Sequence, residues 1–164
     1  MRNLRFVITG GPGAGKTTTL AALARRGFHC VPESARAIIQ QRNASGLSPR
    51  PAPEQFGREM LKEDIARYRG TPVQHQPVFF DRGVGDSLAF LALHGAISEA
   101  EVAAQVKEFH YNELVFLLPP WPEIYRADAE RDQSFPEAVA VGESLRQWYP
   151  QWHLSGRGSA AGER

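Results

Sequence analysis

The sequence predicts an α/β fold, a parallel sheet with helical crossovers. Three observations carry this reading. Short apolar runs alternate with amphipathic helical patterns along the whole chain. The first apolar run breaks into a glycine-rich turn that opens directly into a helix. Every such run stops at glycine, proline or a charged residue, as strands do where they feed a crossover.

The elements follow in order. Leu4 to Thr9 is apolar and ends in glycines, the pattern of a buried parallel strand. Lys16 to Arg26 suits a helix with Leu20, Leu23 and Ala24 on one face and Gly27 as its stop. Phe28 to Val31 is a second strand closed by Pro32, and Glu33 to Arg42 a second helix. Asn43 to Pro53, rich in Pro, Ser and Gly, is a loop. Glu54 to Tyr68 is amphipathic, with Phe56, Met60, Leu61, Ile65 and Tyr68 at helical spacing. Pro77 to Asp81 is a third strand that stops at a charge, followed by a helix from Asp86 to His94 with Asp86 as its cap. Ser98 to His110 is helical, with Ser98 as N-cap and Glu101 three residues on. Glu113 to Pro120 is a fourth strand ended by prolines, and Pro136 to Tyr149 the last helix. The segment between them, "WPEIYRADAERDQSF", is polar and unpatterned and reads as a mobile lid over about residues 119–135.

Bulk properties bound the class. A chain of 164 residues with 42% hydrophobic and 23% charged residues is an ordinary single globular domain, expected over residues 1–154. The tail from Ser155 to Arg164 is small, polar and glycine-rich, and disorder is expected there. A net charge of +1 gives no global field for nucleic acid or a membrane surface. The single cysteine, Cys30, allows no intramolecular disulfide and suits a reducing cytoplasm; it reads as a packed strand residue. No apolar run approaches the roughly 20 residues of a membrane span. The five histidines lack metal-ligand spacing. Trp121, Trp148 and Trp152 read as packing residues, Trp121 alternatively as a pocket wall.

In a parallel sheet of this kind, ligands collect at the carboxyl ends of the strands. Four turns fall there. The first reads "TGGPGAGKTTT", in which Gly10, Gly15, Lys16 and Thr17 match G-x-x-x-x-G-K-[ST]. Glycines let successive backbone N–H groups turn inward onto phosphate oxygens, and the following helix aims its positive end at the same anion. The phosphate cradle is Gly10, Gly11, Pro12, Gly13, Ala14, Gly15, Lys16, Thr17 and Thr18. Lys16 is placed to reach the β- and γ-phosphates, and Thr17 to offer its hydroxyl to Mg²⁺.

The other three turns bear on what is done with that phosphate. "VFFDRG" puts Asp81 and Arg82 at a strand end. Read alone, Asp81 is a turn aspartate; in one sheet with a phosphate loop it becomes a candidate Mg²⁺ holder or proton acceptor. Arg82 is either a clamp on a phosphate or carboxylate, or a surface ion-pair partner. "VPESAR" puts Glu33 and Arg36 on the acceptor side, although Glu33 could equally serve the helix N-terminus alone. "YRADAER" offers Arg126 and Arg131 as lid arginines that neutralise charge on a moving phosphoryl group, or as part of a charge-balanced surface loop.

Together, "TGGPGAGKTT", "VPESAR", "FFDRG" and "PPWPEIYRADAERDQSF" resemble the AAA-28 family of predicted P-loop ATPases, over roughly residues 4–150. Members of that group are similar to the ribosylnicotinamide kinase domain and, more distantly, to deoxynucleoside and thymidylate kinases. The resemblance implies a three-layer P-loop fold with strand order 2-3-1-4-5, and phosphoryl transfer from ATP. It casts Asp81 or Glu33 as the acceptor-side carboxylate. Another branch, the TRP-channel trafficking protein of flies and its kin, is a GTP- and phosphoinositide-binding protein. The family pattern continues after the last helix into a fifth strand and a base-binding loop. Here that region reads "YPQWHLSGRGSAAGER", so a missing or altered fifth strand is expected, leaving the edge of strand one open to another chain. No guanine-reading N-K-x-D stretch is present, so the sequence leaves ATP and GTP both open as donors.

The reading is therefore a cytoplasmic, ATP- and Mg²⁺-dependent kinase for a small nucleoside-, nucleotide- or vitamin-like acceptor. Lys16, Asp81, Glu33, Arg126 and Arg131 would be catalytic, Thr17 and Asp81 would hold the metal, and Glu33, Arg36 and Arg82 would bind the acceptor. The alternative is a nucleotide-binding regulatory ATPase or GTPase with no small-molecule acceptor.

Overall fold

A computed structural model describes residues 3–72, 75–125 and 133–157. The elements run β1 (Arg5–Gly10), α1 (Lys16–Arg25), β2 (His29–Val31), α2 (Ser34–Ala44) and α3 (Pro53–Gly70). They continue with β3 (Val78–Asp81), α4 (Val84–Leu93), α5 (Glu99–Glu108), β4 (Val115–Leu118) and α6 (Phe135–Arg157). The four strands form one parallel sheet in the order β2-β3-β1-β4.

The alternation of strand side chains builds three layers. Val7, Val115 and Leu117 point to one face, where they meet Ala89 of α4 and Leu145 and Tyr149 of α6. On the same face Val31, Val78 and Phe80 meet Tyr111, and the Phe80 ring approaches Tyr68 of α3. The opposite face carries Phe6, Phe79 and Phe116 in ring contact, and α1 covers its β2 side, where Cys30 Sγ lies 3.5 Å from Leu20 O. Cys30 is thus a half-buried packing residue, as its strand position predicts. A second cluster joins Leu61, Leu88, Leu91, Phe109 and Trp152 where α3, α4 and α6 converge.

Local chemistry sets the helix starts. Ser98 Oγ accepts from the Glu101 N–H at 3.2 Å while Glu101 Oε2 accepts from the Ser98 N–H at 3.1 Å, the reciprocal cap its sequence predicts. The last helix differs from expectation. Proline lacks an N–H and disfavours helix in the residue before it, so Pro150 marks Tyr149 as the sequence's stop. In the structure α6 continues through Pro150 to Arg157, three residues into the segment expected to lack order. Trp152 is 6% exposed within the cluster shared with Leu61 and Phe109, and this burial holds the turn beyond the proline. Residues 158–164 lie outside the described residues.

The sheet also corrects one expectation. β1 is not an edge strand, because β3 and β4 flank it; the edges are β2 and β4. A strand following the last helix would extend the sheet beyond β4, not beside β1. Among the described residues, no helix is long and apolar enough to cross a membrane.

Candidate active site

The register places the ends of β1 and β3 side by side, with Ile8 opposite Asp81 and Gly10 opposite Leu118 of β4. The glycine loop leaves β1 at this point and enters α1 at Lys16. Gly10, Gly11 and Gly13 are required by space, Gly10 because its Cβ would stand 2.5 Å from the Leu118 carbonyl oxygen. A Cβ on Gly11 would stand 2.1 Å from the Ala138 carbonyl oxygen of α6. Gly13 has φ +75, and a Cβ there would stand 2.6 Å from the Tyr125 ring. The loop is therefore shaped from both sides, by the last helix and by the segment after β4.

Lys16 lies folded into this loop. Its Nζ donates to Gly11 O at 2.9 Å and Gly10 O at 3.3 Å, and the residue is 5% exposed. Burial pushes its pKa down to about 7, and Arg82 adds to the fall, while Glu33, Asp81 and Asp86 oppose it. Thr17 and Thr18 are exposed at the start of α1, and Thr19 Oγ1 bonds back to Gly15 O at 3.0 Å.

Three acidic side chains converge near this lysine. Asp81 ends β3, is 6% exposed, and is pushed up to about 6, first by burial and then by Glu33. Its Oδ1 is buried without a hydrogen-bond partner. A buried oxygen with no partner is costly in isolation and is the kind of atom a cation satisfies. Glu33 caps the start of α2 without a side-chain cap bond. Its Oε1 is instead 3.1 Å from Arg82 Nε. Arg82 has φ 65, a left-handed backbone that turns its side chain back across the strand ends. Its Nη1 reaches Asp86 Oδ1 at 3.4 Å. Burial alone would lower the Arg82 pKa, but Glu33, Asp86 and Asp81 outweigh it and hold the guanidinium charged. Arg82 is a half-buried clamp between two carboxylates.

Asp86 does more than cap. Its Oδ2 accepts from the Gly83 N–H at 2.9 Å, as a helix cap would. It also accepts from the Thr9 hydroxyl on β1 and the Tyr149 hydroxyl on α6. One carboxylate thus fixes the last turn of β1, the start of α4, the Arg82 fork and α6. Burial, then Asp86, drives Tyr149 well above its ordinary pKa, so the phenol stays protonated as a donor.

Beside the loop lies a cavity of about 560 Å³, within the range of small-molecule sites. Its lining brings Lys16, Glu33, Arg36 and Arg82 together with an apolar wall that includes Phe56 and Phe90. Those two rings meet edge to face at 6.1 Å. The structure therefore gathers the phosphate loop, Glu33, Asp81, Arg82 and Arg36 in one region. Asp81 is not among the residues lining the cavity, whereas Glu33 is. Trp121 is 54% exposed and is not among the residues lining this cavity. Arg126 and Arg131 lie outside the described residues.

Sequence reasoning missed Asp64 and gave Asp86 only its cap. Asp64 sits mid-helix in α3, is 6% exposed, and lines the cavity. Its Oδ2 accepts from the Ser87 hydroxyl, and Ser34 also bonds its carboxyl. Burial pushes it up to about 7 despite those two bonds. A signal existed: Phe56, Met60 and Asp64 repeat at four-residue spacing, which puts a carboxylate on the buried stripe of the helix.

A phosphate loop at the carboxyl ends of a β2-β3-β1-β4 parallel sheet, beside a cavity of ligand size, defines a P-loop protein of kinase-like fold. The chain belongs to the AAA_28 family, described as an AAA domain, which matches residues 5–155. No curated protein sequence matches it. Among solved structures it is similar to deoxyadenosine kinase from M. mycoides with bound dATP, at 14% identity and a TM-score of 0.64, covering 92% of this chain and 86% of that one. It is also similar to the NadR protein in complex with NR, at 18% identity and a TM-score of 0.65, covering 99% of this chain and 48% of that one. The chain thus spans about half the length of NadR. At these identities the likeness is one of fold, and it agrees with the fold and family that the four sequence stretches imply.

Proposed function

We propose that the protein transfers the γ-phosphoryl group of ATP, or of GTP, to a hydroxyl of a small nucleoside-, nucleotide- or vitamin-like acceptor. One observation carries this reading: Glu33 and Lys16 line the same cavity of about 560 Å³, so a carboxylate and the phosphate-loop lysine face one acceptor-sized space. A neighbour of the same fold with bound dATP supports a nucleoside triphosphate as a ligand of this fold.

The loop's backbone N–H groups and the start of α1 receive the donor's phosphates. Lys16 leaves its carbonyl partners, Gly10 and Gly11, for the β- and γ-oxygens, and contact with that negative charge restores its full protonation. The site suits Mg²⁺. Asp81 offers a buried oxygen without a partner and Thr17 an exposed hydroxyl at the head of α1. When bound, the ion would neutralise charge developing on the phosphate oxygens. Glu33, lining the cavity, takes the proton from the acceptor hydroxyl as its oxygen forms the new O–P bond. The bond from the γ-phosphorus to the bridging oxygen breaks, and the nucleoside diphosphate leaves. Arg82 holds Glu33 in register, and Asp86 holds Arg82. Arg36 would contact the acceptor, and Arg126 and Arg131 would neutralise charge on the transferring group. Most of the rate would come from positioning and fixed charge.

The division of labour between the two carboxylates is testable. With Mg–ATP and a panel of nucleosides, pyridine ribosides and vitamins, one acceptor class should raise nucleotide turnover many-fold. Glu33→Gln should lower that acceptor-stimulated rate by roughly 10²–10⁴, while thermal stabilisation by Mg–ATP persists. Hydrolysis that ignores every acceptor and every Glu33 variant would instead identify a regulatory ATPase or GTPase.

A further inference from the structure

Asp64 is the buried carboxyl that the phosphoryl-transfer chemistry leaves unused. It stands on α3 at the third position of the stripe Phe56, Met60, Asp64, where packing alone would call for an apolar side chain. Its hydrogen-bond partners are Ser87 of α4 and Ser34 of α2, themselves 3% and 4% exposed. Each serine directly follows a carboxylate of the reacting corner, Ser34 after Glu33 and Ser87 after Asp86. All three side chains line the cavity beside the apolar Phe56 and Phe90.

We propose that Asp64, with the Ser34 and Ser87 hydroxyls, is the specificity-determining patch of this cavity, selecting acceptors whose body presents a hydrogen-bond donor, a hydroxyl or an amino group, toward α3. This rests on the phosphotransferase reading above. The donor count supports it. Above about pH 7 the Asp64 carboxylate is ionised and only accepts, at about four lone-pair sites, and each serine hydroxyl has one proton to give. Ser87 and Ser34 direct theirs at Asp64, so the oxygens that remain toward the cavity are acceptors. A ligand that buries them must supply an O–H or N–H, or leave them unpaired at a cost of roughly five- to hundredfold in affinity each. A purely structural staple between α2, α3 and α4 would account for the two serine bonds. It would not account for all three groups lining the cavity beside the apolar Phe56, Met60 and Phe90.

The test compares wild type, Asp64→Asn and Ser87→Ala, each first checked for thermal stabilisation by Mg–ATP. The probes are nucleosides and pyridine ribosides, each paired with an analogue lacking one hydroxyl or one amino group. Turnover with Mg–ATP and direct calorimetric binding are both measured at about pH 8, where Asp64 is ionised. In wild type, at least one pair should differ 100-fold or more in kcat/KM. In Asp64→Asn that ratio should fall below tenfold, through KM with kcat changed only a few-fold, and Ser87→Ala should reduce it in the same direction. A folded Asp64→Asn protein that keeps the full ratio would overturn the proposal and leave Asp64 a helix staple. A wild type that turns over acceptors without discriminating any pair would do the same. If Asp64→Asn does not fold, the Ser87→Ala ratio decides by the same criterion. If no probe binds or stimulates turnover in wild type, the phosphotransferase reading itself falls, and the specificity patch with it.

Discussion

Tyr149 donates its hydroxyl to Asp86 Oδ2, joining the last helix to the first turn of α4 across 63 residues of chain. The bond is buried, and the same oxygen holds the Gly83 N–H. Tyr149→Phe keeps the ring and removes only the donor. The loss should cost about 1–3 kcal/mol, because a buried carboxylate oxygen loses a partner without regaining water. Urea denaturation should show a lower midpoint at an unchanged slope.

Lys16→Ala removes the only side-chain cation of the phosphate loop. Thermal stabilisation by Mg–ATP, present in wild type, should vanish in this variant. An unchanged shift would mean that the loop is not the triphosphate site.

Gly13→Ala forces a side chain into a left-handed backbone at φ +75 and into the Tyr125 ring at 2.6 Å. The backbone term alone is about 1–2 kcal/mol. Mg–ATP affinity should fall at least tenfold. Placing the same change in a Tyr125→Ala background should recover the part that comes from the ring, which a double-mutant cycle measures directly.

Asp64 gives stability a pH dependence of known sign. Its pKa is about 7 in the folded chain against an ordinary 3.8, raised first by burial and further by Asp86 of α4, and lowered by Ser87, Ser34 and Arg67. Between about pH 4 and 7 the unfolded chain has released this proton while the folded chain keeps it. The folded state binds more protons there, so this contribution to stability falls as pH rises and levels off above pH 7. Asp64→Asn cannot titrate. The stability advantage of wild type over this variant should therefore shrink from pH 5 to pH 8 in urea titrations.

The sheet was legible because each apolar run is broken at its end: glycines after Thr9, Pro32 after Val31, the charges Asp81 and Arg82 after Phe80, prolines after Leu118. The phosphate loop was legible for a related reason, since its backbone geometry demands glycine at fixed spacing. What stayed hidden depends on contacts between distant segments. Nothing local in "VGDS" tells that Asp86 gathers Thr9, Arg82 and Tyr149, since one aspartate serves a helix cap equally well alone. Asp64 was hidden by its own stripe, where apolar neighbours dominate the pattern and a single carboxylate passes for tolerance. The run of α6 past Pro150 was hidden because a tertiary contact, the burial of Trp152, overrides a local rule.

The close approach of Gly11 to Ala138 has a consequence for the order of synthesis. Residues 10–16 leave the ribosome long before Ala138 and Gly142, the α6 residues that wall their loop. The tyrosine that locks Asp86, and through it Thr9, arrives later still. A nascent chain therefore carries the full phosphate-binding motif long before it carries a rigid phosphate-binding loop. Nucleotide can reward folding only once nearly the whole domain is present, so it acts as a check on completeness and not as an early template.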